Sequence, residues 1–417
     1  MIKFSVVLGV AILFGFESRG EMYFVNTTND TITRGSLRGA IINANARGKN
    51  NTIVLTQNRY VLTLTGADEN AGYTGDLDVT NGNLTILGFS HSHGSYVTID
   101  ATGLGDRVFK ISPRAHLTLE NIVITGGSAP NYPFAISADG ENGGGIYNAG
   151  TLTLDHCLVI DNSSGGGYLG EVVAGSGGDG GGIYNLGSFS ASSCTISNNL
   201  CGTGANGGSN LNPFQGDNGG SGGHGGGIFN GGRMVMTDCD ILSNTGGAGG
   251  LGGTADNGGA GGNGGSGGGI CNTNQLALNY CIVAENTDGA GGSGGDSDFQ
   301  GNGGNGGAGG NGGGIVNLAS GANITLFNSL IAWNSFGSGG DGGAGGNFYS
   351  NQPPGLVGTP GSTGSGSDLL GAFASLGYNL VREADGSSGL VNGVKHDVVG
   401  TIAAPANAAK FKFLRHF

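Results

Sequence analysis

Five times the chain carries a run of glycines that ends in isoleucine, a variable residue and asparagine: Gly143–Asn148, Gly180–Asn185, Gly225–Asn230, Gly267–Asn272 and Gly312–Asn317. The copies start 37, 45, 42 and 45 residues apart. A motif that returns at such a period belongs to a repeat architecture, in which each unit buries its apolar face only by stacking on its neighbours. Independent globular domains are thereby excluded for this stretch.

The residues after each motif keep a common register. Leu152 and Leu154, Phe189 and Ala191, Met234 and Met236, Leu276 and Leu278, and Ile324 and Leu326 alternate with small or polar residues, the pattern of one half-buried strand per unit. Three residues on stand Cys157, Cys194, Cys239, Cys281 and Ser329, followed by Val159, Ile196, Ile241, Val283 and Ile331. A second asparagine then closes each unit: Asn162, Asn199, Asn244, Asn286 and Asn334. In the turn before the first motif, the matching positions are read as Asn121, Val123 and Gly126. From triple glycine to second asparagine a unit is 20 residues in four copies and 23 in the fifth, room for three short strands and their corners.

This predicts an all-β chain, a single-stranded right-handed parallel β-helix whose equivalent residues stack about 4.8 Å apart. Asn148, Asn185, Asn230, Asn272 and Asn317 are then one inward ladder, and the second asparagines another. At a turn a buried amide supplies both a donor and an acceptor to backbone groups that have left the sheet. The cysteines stack rather than converge, so they read as small core residues and not as a zinc site. Cys201 falls in a loop. The middle residues of the motifs, Tyr147, Tyr184, Phe229, Cys271 and Val316, face outward as an apolar stripe, open to a partner or covered by the insertions.

The insertions 163–179, 200–224, 245–266 and 287–311 leave from one corner and hold much of the chain's 95 glycines. Such segments are either disordered or packed side by side as extended polyglycine-II-like strands, and composition leaves both open.

Around this repeat the chain divides into five parts. Residues 1–20 read as a signal peptide, with Lys3 ahead of the apolar run Phe4–Phe16. Residues 21–75 read as an N-terminal cap with one helix, since Leu37, Ala40, Ile41 and Ala44 lie at helical spacing between Ser36 and Gly48. The β-helix with its insertions covers 76–335, a Gly/Ser/Pro-rich segment 336–367, and a last rung with a basic, aromatic tail 368–417. No other apolar run approaches the ~20 residues of a membrane span, which leaves the mature chain without one and places it outside the cytoplasm, secreted or at the cell surface. A net charge of −13 with 16 Lys and Arg offers no basic stripe for nucleic acid.

The stretch from Val25 through Gly35-Ser-Leu-Arg-Gly-Ala-Ile-Ile-Asn-Ala-Asn45, with Leu84–Gly88, Ile99-Asp100 and Arg107–Phe109, resembles the N-terminal region of bacterial extracellular proteins with a CSLREA-type domain. The glycine–asparagine repeats look like the right-handed β-helix of those proteins and of polymorphic outer-membrane proteins, a pectin-lyase-like fold. The resemblance covers about residues 22–401 and implies an exported scaffold with an adhesive or interaction role.

Related β-helices include polysaccharide-degrading enzymes, so an enzyme is the alternative. Gly223-His224-Gly225 and Asn286-Thr287-Asp288 are similar to two polygalacturonase motifs but stand in the wrong order, and the rungs offer only Arg233 and the scattered acids Asp155, Asp238 and Glu285. Calcium is the one ion to weigh: Gly291–Phe299 nearly fits a calcium-binding nonapeptide, yet Asp179, Asp296, Asp298 and Asp341 are isolated where tandem copies would be needed. No catalytic residue and no cofactor is assigned. The expected partner is a surface glycan or a protein, and the expected role is a non-enzymatic one.

Overall fold

The computed structural model describes residues 20–67, 69–89, 96–131, 139–169, 174–209, 214–321, 323–348 and 351–407. The apolar run Phe4–Phe16 and the tail from residue 408 lie outside the described residues.

Three parallel sheets run the length of the molecule, one strand of each per turn. Face 1 holds the isoleucine–asparagine motifs: Leu77–Val79, Phe109–Ile111, Ile146–Asn148, Ile183–Asn185, Ile228–Asn230, Ile270–Asn272 and Ile315–Asn317. Face 2 holds the alternating strands, from Met22–Val25 and Asn50–Leu55 through Thr151–Asp155 to Ile324–Phe327. Face 3 is a sheet of 10 short strands, from Arg59–Val61 to Val398–Val399. This is a parallel β-helix, and right-handed crossovers are the rule for parallel strands. At the C-terminal end one long strand, Leu369–Gly377, turns the corner and pairs first on face 1 and then on face 2.

Inward residues form the core. Phe109, Ile146, Ile183, Ile228, Ile270 and Ile315 are fully buried in one column, and Leu152, Leu154, Met236, Leu278 and Leu326 in the neighbouring ones. The corners explain why strands so short end where they do. His156, Ser193, Asp238, Tyr280 and Asn328, each just before the small-residue column, have left-handed backbones with φ between 44° and 57°. Asp161, Asn198, Ser243, Glu285 and Trp333, each just before the second asparagine, do the same. One such residue turns the chain sharply, at a cost that stacking offsets.

The corner rule corrects one alignment. Face 3 pairs Val123 with Leu158 and Ile124 with Val159, so Ile122 and Ile124, not Asn121 and Val123, belong to the inward columns. Asn121, with φ 55°, is the left-handed corner that matches His156, and Gly126 matches Asp161. A polar residue near the expected place drew the register off by one, which in a strand exchanges the two faces.

The helix forms at Leu37–Arg47, with Ser36 Oγ accepting from Gly39 N at 3.2 Å and Gly48 closing it in the left-handed region. It covers the end of the stack with Leu37, Ala40, Ile41 and Ala44. The described residues place no break at residue 75: Asn50–Leu55, Arg59–Val61 and Leu77–Val79 are already three sides of one turn, so the solenoid begins within the segment expected to be a cap. Buried Arg38 ties the two together, pairing with Asp30 at 2.7 Å and donating to the carbonyls of Gly72, Gly75 and Asp76.

Candidate interaction surface

The described residues of the glycine insertions form a second structure beside the β-helix. Each runs outward and returns, as 202–209 and 216–224 do, then 247–253 and 258–266, then 289–296 and 303–311, and finally 337–346 and 355–365. Outgoing segments make one layer and returning segments another. The sequence repeats as Gly-Gly-X with the three-residue period of the polyglycine II helix, and each of the three residues has its own partner.

The second glycine bonds across the layers. One line runs Gly361 N to Gly340 O, Gly340 N to Gly307 O, Gly307 N to Gly292 O, Gly292 N to Gly262 O, Gly262 N to Gly250 O and Gly250 N to Gly220 O, every step 2.8–2.9 Å. The first glycine bonds within a layer to the next turn, as in Gly204 N to Ala248 O, Gly249 N to Ala290 O and Gly291 N to Ser338 O, each 2.8 Å. A Cβ at Gly250, Gly262 or Gly307 would overlap a neighbouring carbonyl oxygen, so the close approach of the segments is what requires glycine there.

The third residue points out, and its N–H is taken by the side chain of the same position one turn earlier. Asn206 Oδ1 accepts from Leu251 N at 2.9 Å, Asn218 from Ala260 N at 2.8 Å, Asn263 from Ala308 N at 2.9 Å, and Asp296 from Ala344 N at 2.7 Å. This is why Asn, Asp and Ser recur at X. It also accounts for the calcium-like nonapeptide, whose Asp296 serves as this acceptor.

Within the Gly/Ser/Pro-rich segment 336–367, residues 337–346 and 355–365 form the last described pair of strands in this slab. Its returning strand carries Val357, Pro360 and Thr363 where earlier ones carry Gly303, Gly306 and Gly309. Those glycines donate to Leu356, Thr359 and Ser362, whereas among the described residues no further strand lies beyond the final one to bond or to collide with. Proline, which has no N–H, closes such an edge well.

On the β-helix itself the two asparagine columns are continuous amide chains. Asn148 Nδ2 donates to Asn185 Oδ1, Asn185 to Asn230 and Asn230 to Asn272, each at 2.7 Å, and Asn272 to Asn317 at 3.1 Å. Asn162, Asn199, Asn244, Asn286 and Asn334 form the second, at 2.9–3.0 Å. That column ends on Asp368, whose Oδ1 accepts from Asn334 Nδ2 at 2.9 Å.

Cys157, Cys194, Cys239 and Cys281 stack inward as free thiols, with Cys157 N against Cys194 Sγ at 3.3 Å. The hydrogen bond with the neighbouring thiol pushes Cys194 and Cys239 up to about 12, and burial does the same to Cys201. Loop residue Cys201 is fully buried at the base of the slab, its Sγ donating to His224 O at 3.1 Å. Ellman's reagent at pH 8 should therefore find no thiol in the native protein and all 6 after denaturation; rapid native labelling would contradict this packing.

The outward stripe is not an open apolar surface. Tyr147, Tyr184 and Phe229 are half-buried and stacked on one another, with ring centroids 5.4 and 4.9 Å apart, and Cys271 and Val316 are buried. Rings stacked along the axis present edges rather than faces, so the column is a structural ladder like the amides. Arg107 lies 5.7 Å from the centroid of the first ring.

Beyond Arg107 stands a group that the sequence reading missed. The row Asp78, Lys110, Tyr147 continues the stripe toward the N-terminus. Arg107 pairs there with Asp76 at 3.3 Å and with Glu141 at 3.1 Å, and Asp106 Oδ2 accepts from Asp76 N. Burial raises the carboxyls of Asp76 and Asp106 and moves Asp78 to about 6 against the pull of Lys110. Burial likewise raises Asp179, Asp288 and Asp368, the last to about 6. A carboxyl held above its unfolded value favours folding while it is protonated, and that contribution is lost as pH rises from about 4 toward about 6. Asp30, lowered by Arg38 and backbone donors, and Asp100, lowered by the Thr102 hydroxyl and N–H and then by Arg59, act in the opposite sense at lower pH. The melting temperature should accordingly be higher at pH 5 than at pH 7.5, and calorimetry across that range checks the sign.

The remaining residues singled out by sequence do not converge on one site, although His224 and Asp179 touch through the His224 backbone. His224 sits in the returning layer, its N bonded to Asp179 Oδ1 and its Nδ1 accepting from Ser266 N at 2.8 Å. Asn286 is a ladder residue, and Asp288 Oδ1 accepts from Gly268 N. Asp155, Asp238, Glu285 and Arg233 lie apart at strand ends and corners.

No family model matches the chain, and no curated protein matches it. Among solved structures it is similar to the pectin methylesterase from Aspergillus niger, at 12% identity and a TM-score of 0.34, over 89% of this chain and 90% of that one. It is also similar to the pectate lyase Pel9A, at 11% identity and a TM-score of 0.38, over 95% of this chain and 84% of that one.

Proposed function

We propose that this protein is an exported, non-enzymatic β-helix scaffold, secreted or held at the cell surface, that works by binding a glycan or protein on its glycine slab. The observation that carries the reading is the division of labour within Gly-Gly-X: glycine fills most positions where segments cross, Ala205 and Asp217 being exceptions, and the variable residue faces out on the frame so formed. Such a frame holds contact groups in place before a partner arrives, which lowers the entropy cost of association. The apolar N-terminus and the resemblance to exported β-helix proteins support the location, and trypsin shaving of intact cells tests it: release of peptides from this chain is expected, and their absence from both cells and medium would overturn it.

A second reading, a polysaccharide-active enzyme, is favoured by one feature. Asp78, with its carboxyl near 6 and Lys110 as its strand neighbour, and half-exposed Glu141, paired with Arg107, stand at the head of the ring column, residue types suited to general acid–base work. Incubation with acidic and neutral polysaccharides, followed by assays for reducing and unsaturated ends, separates the two. The scaffold reading expects none, and turnover abolished by Asp78→Asn would replace it.

A further inference from the structure

We infer that the returning layer of the slab is a binding face for a flat, neutral polysaccharide. This rests on the scaffold reading and goes beyond it by naming the face, the contact atoms and the ligand class.

The argument begins with the amides at X. Asn218, Asn263, Asn302, Asn305 and Asn311 each receive a backbone N–H from the next strand, from Ala260, Ala308, Leu356, Thr359 and Ser365, at 2.8–2.9 Å. Because the partner is a donor, the atom that meets it must be Oδ1. The orientation of every amide is thus set by chemistry, and each Nδ2 is turned away from the strand it caps. Among the described residues none of these five Nδ2 groups has a protein acceptor, and Asn218, Asn263, Asn302 and Asn305 are exposed. The slab therefore holds out a grid of immobilised donors whose acceptor halves are already used.

The grid is regular and level. Along a strand the outward positions repeat every three residues, about 9 Å in this helix, and across strands they are about 5 Å apart. Between the amides lie Ala260 and Ala308, with Ser221 and Ser362 beside them. From Asn257 to Ser266, Asn302 to Asn311 and Leu356 to Ser365 the outward positions carry no ionisable side chain. The opposite layer differs, for it presents Asp296 and Asp341.

A partner for such a face must be rich in acceptors, uncharged and flat over several repeats. Hydroxyl and ring oxygens of a neutral polysaccharide meet all three demands. A polyuronate does not, because the three strands without ionisable outward groups, inside a chain of net charge −13, give an anionic polymer nothing to offset its repulsion.

The test uses a substitution the protein already employs. Asp296 caps Ala344 N as asparagine caps elsewhere, so Asn263→Asp, Asn302→Asp and Asn305→Asp together keep the slab's bonds and remove three donors. Binding of the wild type, this triple variant and the opposite-face control Asn206→Asp to microcrystalline cellulose, chitin, insoluble β-1,3-glucan and polygalacturonate is measured by depletion, with melting temperature and amide exchange recorded for each. The expected result is wild-type binding to at least one neutral polymer, at least tenfold weaker binding by the triple variant with its melting temperature kept, and no change in the control. Failure of the wild type to bind any neutral polymer, preference for polygalacturonate, or equal binding by the folded triple variant would overturn the inference. Should the triple variant melt early, Asn302→Asp alone, at the exposed outer end of the grid, is read in its place by the same criterion. Release of reducing ends from any polymer would instead overturn the scaffold reading, whichever way the variants bind.

Discussion

Replacing Gly262 by alanine should open the slab while leaving the β-helix standing. Gly262 is buried between the layers, where it donates to Gly250 O and receives Gly292 N, each at 2.8 Å, and an added methyl would overlap Gly220 O. Overpacking a core side chain costs about 1–3 kcal/mol when neighbours can rotate away; here the obstacle is backbone held by its own hydrogen bonds, so the strands themselves must part. Amide exchange at Gly250, Gly292 and Gly307 should accelerate by at least tenfold, and a protease should nick the insertions, while face 1 and face 2 amides stay protected. Ala260→Ser, two residues away at an outward position, should change neither. Unchanged exchange in Gly262→Ala would mean that the segments do not approach as closely as described, and the preorganised face would go with them.

That contrast also shows what could be read from sequence. The β-helix was legible because its period, its alternating strands and its asparagines are visible without coordinates. The slab was half legible. Gly-Gly-X is plain in Gly258-Gly-Ala-Gly-Gly-Asn-Gly-Gly-Ser266, but glycine-rich chains with and without order share that composition, and the decision depends on whether neighbouring insertions bring their triplets into phase. The purpose of asparagine at X could have been suspected from its recurrence, yet its partner lies 42 to 54 residues away.

The acidic group at the N-terminal turns was hidden for another reason. Asp76, Asp78, Asp106 and Arg107 come from two successive turns that lack the asparagine motif, and Glu141 stands just before its first copy, so no repeat marked them. Aligning Leu77-Asp78-Val79 and Phe109-Lys110-Ile111 with Ile146-Tyr147-Asn148 was the available signal. It puts Asp78, Lys110 and Tyr147 in one row, as face 1 does.

The second large effect concerns the direction of the amide chains. Asn185 is fully buried, accepts from Asn148 Nδ2 and donates to Asn230 Oδ1 and to Arg233 O. Leucine there strands a donor on one side and an acceptor on the other, at about 1–3 kcal/mol for each unsatisfied group. Asn185→Leu should lower the melting temperature by several degrees, and an unchanged value would refute the ladder. Asn185→Asp is the sharper probe. The carboxylate still accepts from Asn148 but sets an oxygen against Asn230 Oδ1, and Asn230 cannot flip because its own Nδ2 is committed to Asn272. Protonation turns the new side chain into a donor and repairs the contact, so this variant should recover stability as pH falls through its raised carboxyl pKa, more steeply than the wild type over the same range. The protein itself obeys this polarity. Among the described residues aspartate closes the columns, as Asp368 beneath Asn334 in the second asparagine column and Asp397 beneath Asn379 in the small-residue column, positions that need an acceptor.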